Sequence, residues 1–296
     1  MQYVGETAAI GAAIVWALAT WIYSQSSHRF SALHLNIVKG TLASFMMIAF
    51  LPFTSDEAYK SIDSHHLVVL ALSGIIGIAI GDTAYFASLK RIGPNKTLLL
   101  ESLAPPISGV LALTLLGSAL SVQSWFGVMI TTSAVVCVIF QPSRRNDKQD
   151  WGGVGFGLLA SVCQASGIVI SHYALVAGDI LPLLGGLVRL SVGVLVVCAV
   201  VKVAERSPFQ DIIKSLTEMD RAAIAWLILA IFVGTFIAIW LQQVALKHAN
   251  PAVAQTLIAT SPLFMLLICA LKGEKQTIKN VVGTLAALVG ISLFFL

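Results

Sequence analysis

Four ionisable side chains stand inside long apolar runs: Lys39 in IVKGTL, Asp82 in AIGDTA, Glu101 in TLLLESLAPP and Arg189 in LVRLSV. An ionised group among apolar neighbours is costly, so it persists where it meets a partner, a polar cavity or a ligand. A carboxylate there can hold a cationic group or carry a proton, and a lysine or arginine can neutralise it or hold an acid. Glu101 is the foremost candidate, because its short side chain cannot reach far toward water. Pro105 and Pro106 follow it by four and five residues. Each removes a backbone donor, freeing the carbonyls of residues 101 and 102, so a carboxylate and a freed carbonyl share one turn. Thr97, Glu101, Ala104 and Ser108 recur at helical spacing as one small, polar face.

The surroundings of these residues set what they can be. The 296 residues are 57% hydrophobic and 11% charged, with a mean hydropathy of +0.90. Soluble domains carry about a quarter charged residues, so most of this surface does not face water. Ten apolar runs lie near 7–24, 32–53, 67–89, 95–117, 122–141, 152–177, 181–203, 222–246, 250–271 and 278–296. Each approaches the roughly 20 residues a spanning helix needs. The runs are continuous rather than alternating, which favours helices over a β-barrel. The basic residues form no arm for nucleic acid. The four cysteines, Cys137, Cys163, Cys198 and Cys269, fall inside apolar runs without metal or redox spacing. Glycine patterns such as Gly77-IAI-Gly81 and Gly153-VGF-Gly157 predict close helix packing rather than phosphate loops. No cofactor, metal, nucleic acid or obligate protein partner is expected, and MQYVGETAA does not resemble a cleaved leader.

An internal repeat organises the runs. GIAIGDTAYFASLKRIGP (77–94) aligns with GTFIAIWLQQVALKHANP (234–251) at an offset of 157, and Pro105 falls on Pro262 at the same offset. Lys39 corresponds to Arg189. The expected division is a first repeat over 1–141, a polar loop over 142–151 and a second repeat over 152–296. Five spans per repeat invert the second against the first. Inverted repeats recur in secondary transporters, with the solute bound between them. Loop lysines and arginines number fourteen after the odd spans against two, Lys60 and Lys247, on the other side. That asymmetry predicts extracytoplasmic termini.

Helix rise places Glu101 roughly 10 Å, and Asp82 and Lys39 about 12 Å, below the same predicted inner surface. Lys39 can therefore pair with Glu101 or with Asp82. In the second repeat Ile258 stands for Glu101 and Ile239 for Asp82. Arg189 enters from the outer side, with Gln242 and Gln243 at comparable depth. Tyr85 lies one turn from Asp82, and Trp16 lies in the first span as a further candidate lining residue. Pro105, Pro106 and Pro262 are expected to shape a cavity or act as hinges. The plainer alternative is a buried ion pair that fixes packing, a snorkelling Lys39, and kinks compensated by Ser102 or Thr260.

On KRIGP and KHANP, the prolines of LAPPIS and ATSPLF, the glycine-led closing spans and the GEK at 273–275, the chain resembles the EamA-type branch of the drug/metabolite transporter superfamily. The resemblance implies an all-α membrane protein of ten transmembrane helices in two inverted five-helix repeats. It also implies a carrier of small organic metabolites such as amino acids, often outward, in a bacterial inner membrane. Protons or a counter-solute are the candidate coupling partners. A channel-like facilitator or a drug efflux carrier is the alternative. An intramembrane enzyme is disfavoured, because HExxH, GxSxG and DDxxD patterns are absent.

Overall fold

The computed structural model describes residues 3–26, 29–54, 63–116, 122–123, 126–127, 129–130, 133–134, 150–205, 208–249, 251–273 and 277–293. Among these, seven helices are long and apolar enough to cross a membrane: Val4–Gln25, Ala32–Phe53, Ser64–Glu101, Trp151–Ala177, Pro182–Ala204, Arg221–His248 and Ala254–Leu271. The 38-residue stretch Ser64–Glu101 is two spans in one. It turns at Gly93, whose φ of 77° suits a residue without a side chain, and Pro94 starts the next helix. Spans 3 and 4 therefore separate where KRIGP predicts. Span 10 is the shorter helix Ile278–Leu293. Most of the fifth predicted span and of the 142–151 loop lies outside the described residues, as do Glu274 and Lys275 of the GEK element.

The ends of the helices gather in two groups. At one end Lys90 donates to the Phe30 carbonyl at 3.3 Å, His34 meets Glu205 at 2.7 Å, and Arg91 meets Asp150 at 3.4 Å. At the other Lys247 meets Asp179 at 2.8 Å, and Gly5 lies against Ala249. Among the described spans, consecutive ones thus alternate direction. Asp150 caps the Trp151–Ala177 helix by accepting from the Gly153 amide at 2.9 Å. That amide, then the Arg91 charge, holds the Asp150 carboxyl below the usual carboxylate range. The polar stretch between the seventh and eighth spans contains a helix the sequence did not announce, Pro208–Thr217. Its Ile212 and Leu216 pack on Ile37, Val38, Val197 and Val201 of spans 2 and 7.

The bundle is apolar inside and out. Leu35, Met47, Tyr23, Phe86 and Leu190 form part of the largest core, while Phe45, Leu195 and Val203 are 64, 68 and 90% exposed. An outer surface of that kind needs lipid rather than water. Glycine lets span 6 approach spans 3 and 4: a Cβ on Gly153 would strike Ile92 and Arg91, and one on Gly157 would strike Leu100.

Two local departures from α-helix recur at the repeat offset. Span 3 widens to a π-helix over Ile75–Asp82, and span 8 does so over Phe232–Ile237. Their first residues are 157 positions apart. Span 4 breaks after Glu101, turns through Ser102 and Leu103, and resumes as Ala104–Leu116. Span 9 runs Pro251–Ile258, turns through Ala259 and Thr260, and resumes as Ser261–Leu271. The cause is shared: Pro105 and Pro262 each withhold a donor from the carbonyl four residues back. In span 9 the Ser261 hydroxyl supplies one, donating to the Ile258 carbonyl at 2.6 Å. Ser102 and Thr260 hydroxyls bond one turn away, to Leu98 and Leu257 carbonyls. Backbone groups inside a membrane are satisfied in this way or by lining a cavity.

Candidate functional site

The two breaks face each other across a cavity. Leu98, Glu101, Ser102, Ala104 and Pro105 of span 4 line one side, and Gln255, Ile258, Ala259, Ser261 and Pro262 of span 9 the other. Trp16 of span 1 and Gln164 and Ile168 of span 6 complete the wall. The empty volume is about 400 Å³, part of it open to the outside. Trp16, Gln164 and the breaks all fall near the middle of their spans, so the cavity lies at mid-depth.

Glu101 is half-buried, and its Oε2 accepts a hydrogen bond from Trp16 Nε1 at 3.1 Å. The indole orients the carboxylate without neutralising it. Lys39 does not do so either. Of its two possible partners it takes Asp82, through a direct ion pair with both residues almost fully buried. Lys39 Nζ also sits 5.0 Å from the centre of the Phe86 ring, a cation–π distance. The sequence placed three charges at one depth; the structure puts Glu101 on one chamber and Lys39, tied to Asp82, on another.

The second chamber is lined by Trp16, Ala19, Thr20, Tyr23, Lys39, Tyr85, Phe86, Gly234 and Thr235. Tyr85 is hydrogen-bonded to Thr20, and Tyr23 to Thr235 at 2.7 Å. Trp16 lines both chambers and packs on Tyr85 with ring centroids 5.8 Å apart. It is the partition between the Glu101 cavity and the Lys39 cavity.

The outer candidates do not join either chamber. Arg189 is 1% exposed and lies against Gly77 of the span 3 π-segment. It donates weakly to Gln242 Oε1 at 3.5 Å. Gln243 Oε1 accepts from Ser171 at 2.8 Å. These contacts tie helices together. The predicted polar face on span 4 is also interrupted: Glu101 and Ala104 line the cavity, whereas Thr97 donates to the Gly93 carbonyl at 2.8 Å and faces Ser88 of span 3. The turn at Ser102–Leu103 resets the register, so Ser108 points across to Gln255, donating to its Oε1 at 2.6 Å.

Sequence reasoning missed Gln255 and Gln164. Gln255 carried a usable signal. Gln255, Ile258 and Pro262 repeat the spacing of Leu98, Glu101 and Pro105 at the offset of 157, so whatever face Glu101 occupies, Gln255 shares its counterpart.

Known proteins bear on the same architecture. A solved crystal structure superposes on this chain with a TM-score of 0.70, covering 99% of this chain and 96% of the other at 13% identity, which establishes a shared fold. A relative from Archaeoglobus fulgidus described as an uncharacterized transporter is 30% identical over 159 residues. That match spans 53% of this chain and 55% of the relative. The model of the EamA-like transporter family matches twice, over residues 3–140 and 151–296. A doubled match across nearly the whole chain, on a bundle whose helix breaks and π-segments are themselves doubled, means that this chain belongs to the EamA-like transporter family.

Proposed function

We propose that this transporter is a secondary carrier that exports small organic metabolites, amino acids or related solutes among them, by alternating access between its two repeats. The observation that carries the proposal is Glu101: a carboxylate oriented by Trp16, without a cationic partner among the described residues, in a mid-depth cavity bounded by both broken helices. Such a group holds the ammonium of a solute, or a proton in its absence, and the doubled breaks give each repeat a point of flexure beside it. Lys39 and Asp82 neutralise each other and hold spans 2 and 3 at the second chamber, with Tyr85 beside them. Pro105, Pro106 and Pro262 shape the cavity. The charge asymmetry of the loops favours extracytoplasmic termini in a bacterial inner membrane.

The test is counterflow of a panel of labelled amino acids and amines in proteoliposomes, with and without a pH gradient. Glu101→Gln, folded as judged by its elution profile, is expected to lose transport about a hundredfold or more. Transport at the wild-type rate by that variant overturns the role of Glu101. Flux that neither saturates nor supports counterflow gives the channel-like alternative instead.

A further inference from the structure

The cavity contains a second fixed recognition group. Gln255 lines it and is 4% exposed. Its Oε1 is committed to the Ser108 hydroxyl at 2.6 Å, which fixes the plane and the direction of the amide. Its Nε2 has no hydrogen-bond partner among the described residues. A buried amide donor left unmade costs free energy, more than a made bond returns. Such a donor on a cavity wall is one that a ligand can satisfy.

The repeat sharpens the point. At the offset of 157, Gln255 stands where the first repeat has Leu98, and Glu101 stands where the second has Ile258. All four residues line the same cavity. Each broken helix therefore brings one polar and one apolar residue at equivalent positions, and the polar ones are not equivalent. Span 4 offers an acceptor with negative charge, and span 9 offers a neutral donor. Two complementary groups on opposing walls read a solute at two points, and a donor alone or an acceptor alone would satisfy only one of them.

We propose that Gln255 is a specificity-determining residue, whose Nε2 donates to a carbonyl or carboxylate oxygen of a solute while Glu101 holds that solute's ammonium group. The preferred solutes carry an amine with an acceptor oxygen close by, and bare amines are rejected because they leave Nε2 unsatisfied. Ser108 is a positioning residue that acts through Gln255. The assignment rests on the proposed role of Glu101 as the ammonium site.

Matched monocations that differ in one carboxamide test it: alaninamide against ethylamine, and leucinamide against isopentylamine. Affinities are read by titration calorimetry on the full chain in detergent. The wild type is expected to favour the amide of each pair about tenfold or more. Gln255→Met keeps the volume and removes the donor, and it should bring each ratio to within about twofold, by weakening the amides rather than the amines. Ser108→Ala leaves the cavity charge intact and should lower the ratio at least threefold, which keeps the test open if Gln255→Met does not fold. Ratios unchanged in a folded Gln255→Met overturn the proposal alone. Amine binding intact and the ratio retained in Glu101→Gln overturns the ammonium role while sparing Gln255. Absence of binding by all four probes to the wild type overturns both.

Discussion

In span 4 the turn at 102–103 follows a glutamate, and in span 9 the turn at 259–260 follows an isoleucine. The backbone turns at the same place in both, because the proline two residues after each turn withholds the same donor. The side chains are not. Ser261 gives its hydroxyl to the carbonyl that Pro262 strands, and the residue in that place in span 4 is Ala104. A similar divergence runs through the cations. Lys39 pairs with Asp82 at the end of the span 3 π-segment. Its counterpart Arg189 finds Ile239 where Asp82 would be, and turns to Gln242, the counterpart of Tyr85. The lesson is that duplication preserved how the helices bend, while the chemistry settled on one copy of each bend. Breaks and π-segments belong to the architecture of both halves; the carboxylates belong to the first.

The largest expected effect tests the two cations against each other. Asp82→Asn strands a lysine that is 3% exposed, and breaking a buried pair from one side costs about 3–5 kcal/mol. Removing Arg189 as Arg189→Met breaks no direct ion pair among the described residues and replaces a costly charge with a methionine of similar reach. Thermal unfolding in detergent should therefore fall far more for Asp82→Asn than for Arg189→Met. The double variant Lys39→Met/Asp82→Leu should recover most of the loss, because an apolar pair needs no compensation. Equal losses for Asp82→Asn and Arg189→Met would remove the contrast between the halves.

The next effect concerns whether Glu101 works by depth or by neighbourhood. Exchanging the two residues, as Glu101→Ile with Ile258→Glu, keeps one carboxylate on the cavity wall. It removes the carboxylate from the Trp16 indole that orients it at 3.1 Å. Transport of the solute panel should remain about a hundredfold below wild type, a difference of roughly 2.7 kcal/mol in transition-state terms. Recovery of transport in the exchanged protein would show that the two walls are interchangeable and that the indole is incidental.

Much of this site could be read from residue types. Prolines announce a break wherever they stand in an apolar helix, so Pro105 and Pro262 located both turns. Lys-Arg-Ile-Gly-Pro located the turn at Gly93. The rise of a helix gave the depth of Lys39, Asp82 and Glu101, but depth leaves rotation about the axis undetermined. That is why either carboxylate remained open as the partner of Lys39, and why Gln243 looked like a cavity residue although it serves Ser171. The turn after Glu101 also shifts the face that follows it, so a helical wheel drawn through 97–108 misplaces Thr97 relative to Ser108. The π-segments were not legible. An added residue in a turn leaves no residue signature, and Gly77 suggested only close packing. Gln255 was legible through the repeat, since copying the Glu101–Pro105 spacing onto span 9 selects its face.

The smallest effect isolates the backbone from the chemistry. Ser261 is 3% exposed, and its hydroxyl compensates the Ile258 carbonyl that Pro262 leaves without a donor. Ser261→Ala should lower stability by about 1 kcal/mol, the worth of one buried hydrogen bond. Ala104→Ser installs the same hydroxyl at the matching place in span 4, where the stranded carbonyl belongs to Glu101. If the two breaks share one backbone geometry, that hydroxyl finds its carbonyl and the unfolding temperature holds or rises slightly. If it falls as far as Ser261→Ala does, the breaks are alike in sequence spacing only. Solute binding separates the remaining possibilities: a stabilised Ala104→Ser that still binds as wild type shows that the Glu101 carboxylate, and not its carbonyl, is the group the cavity presents.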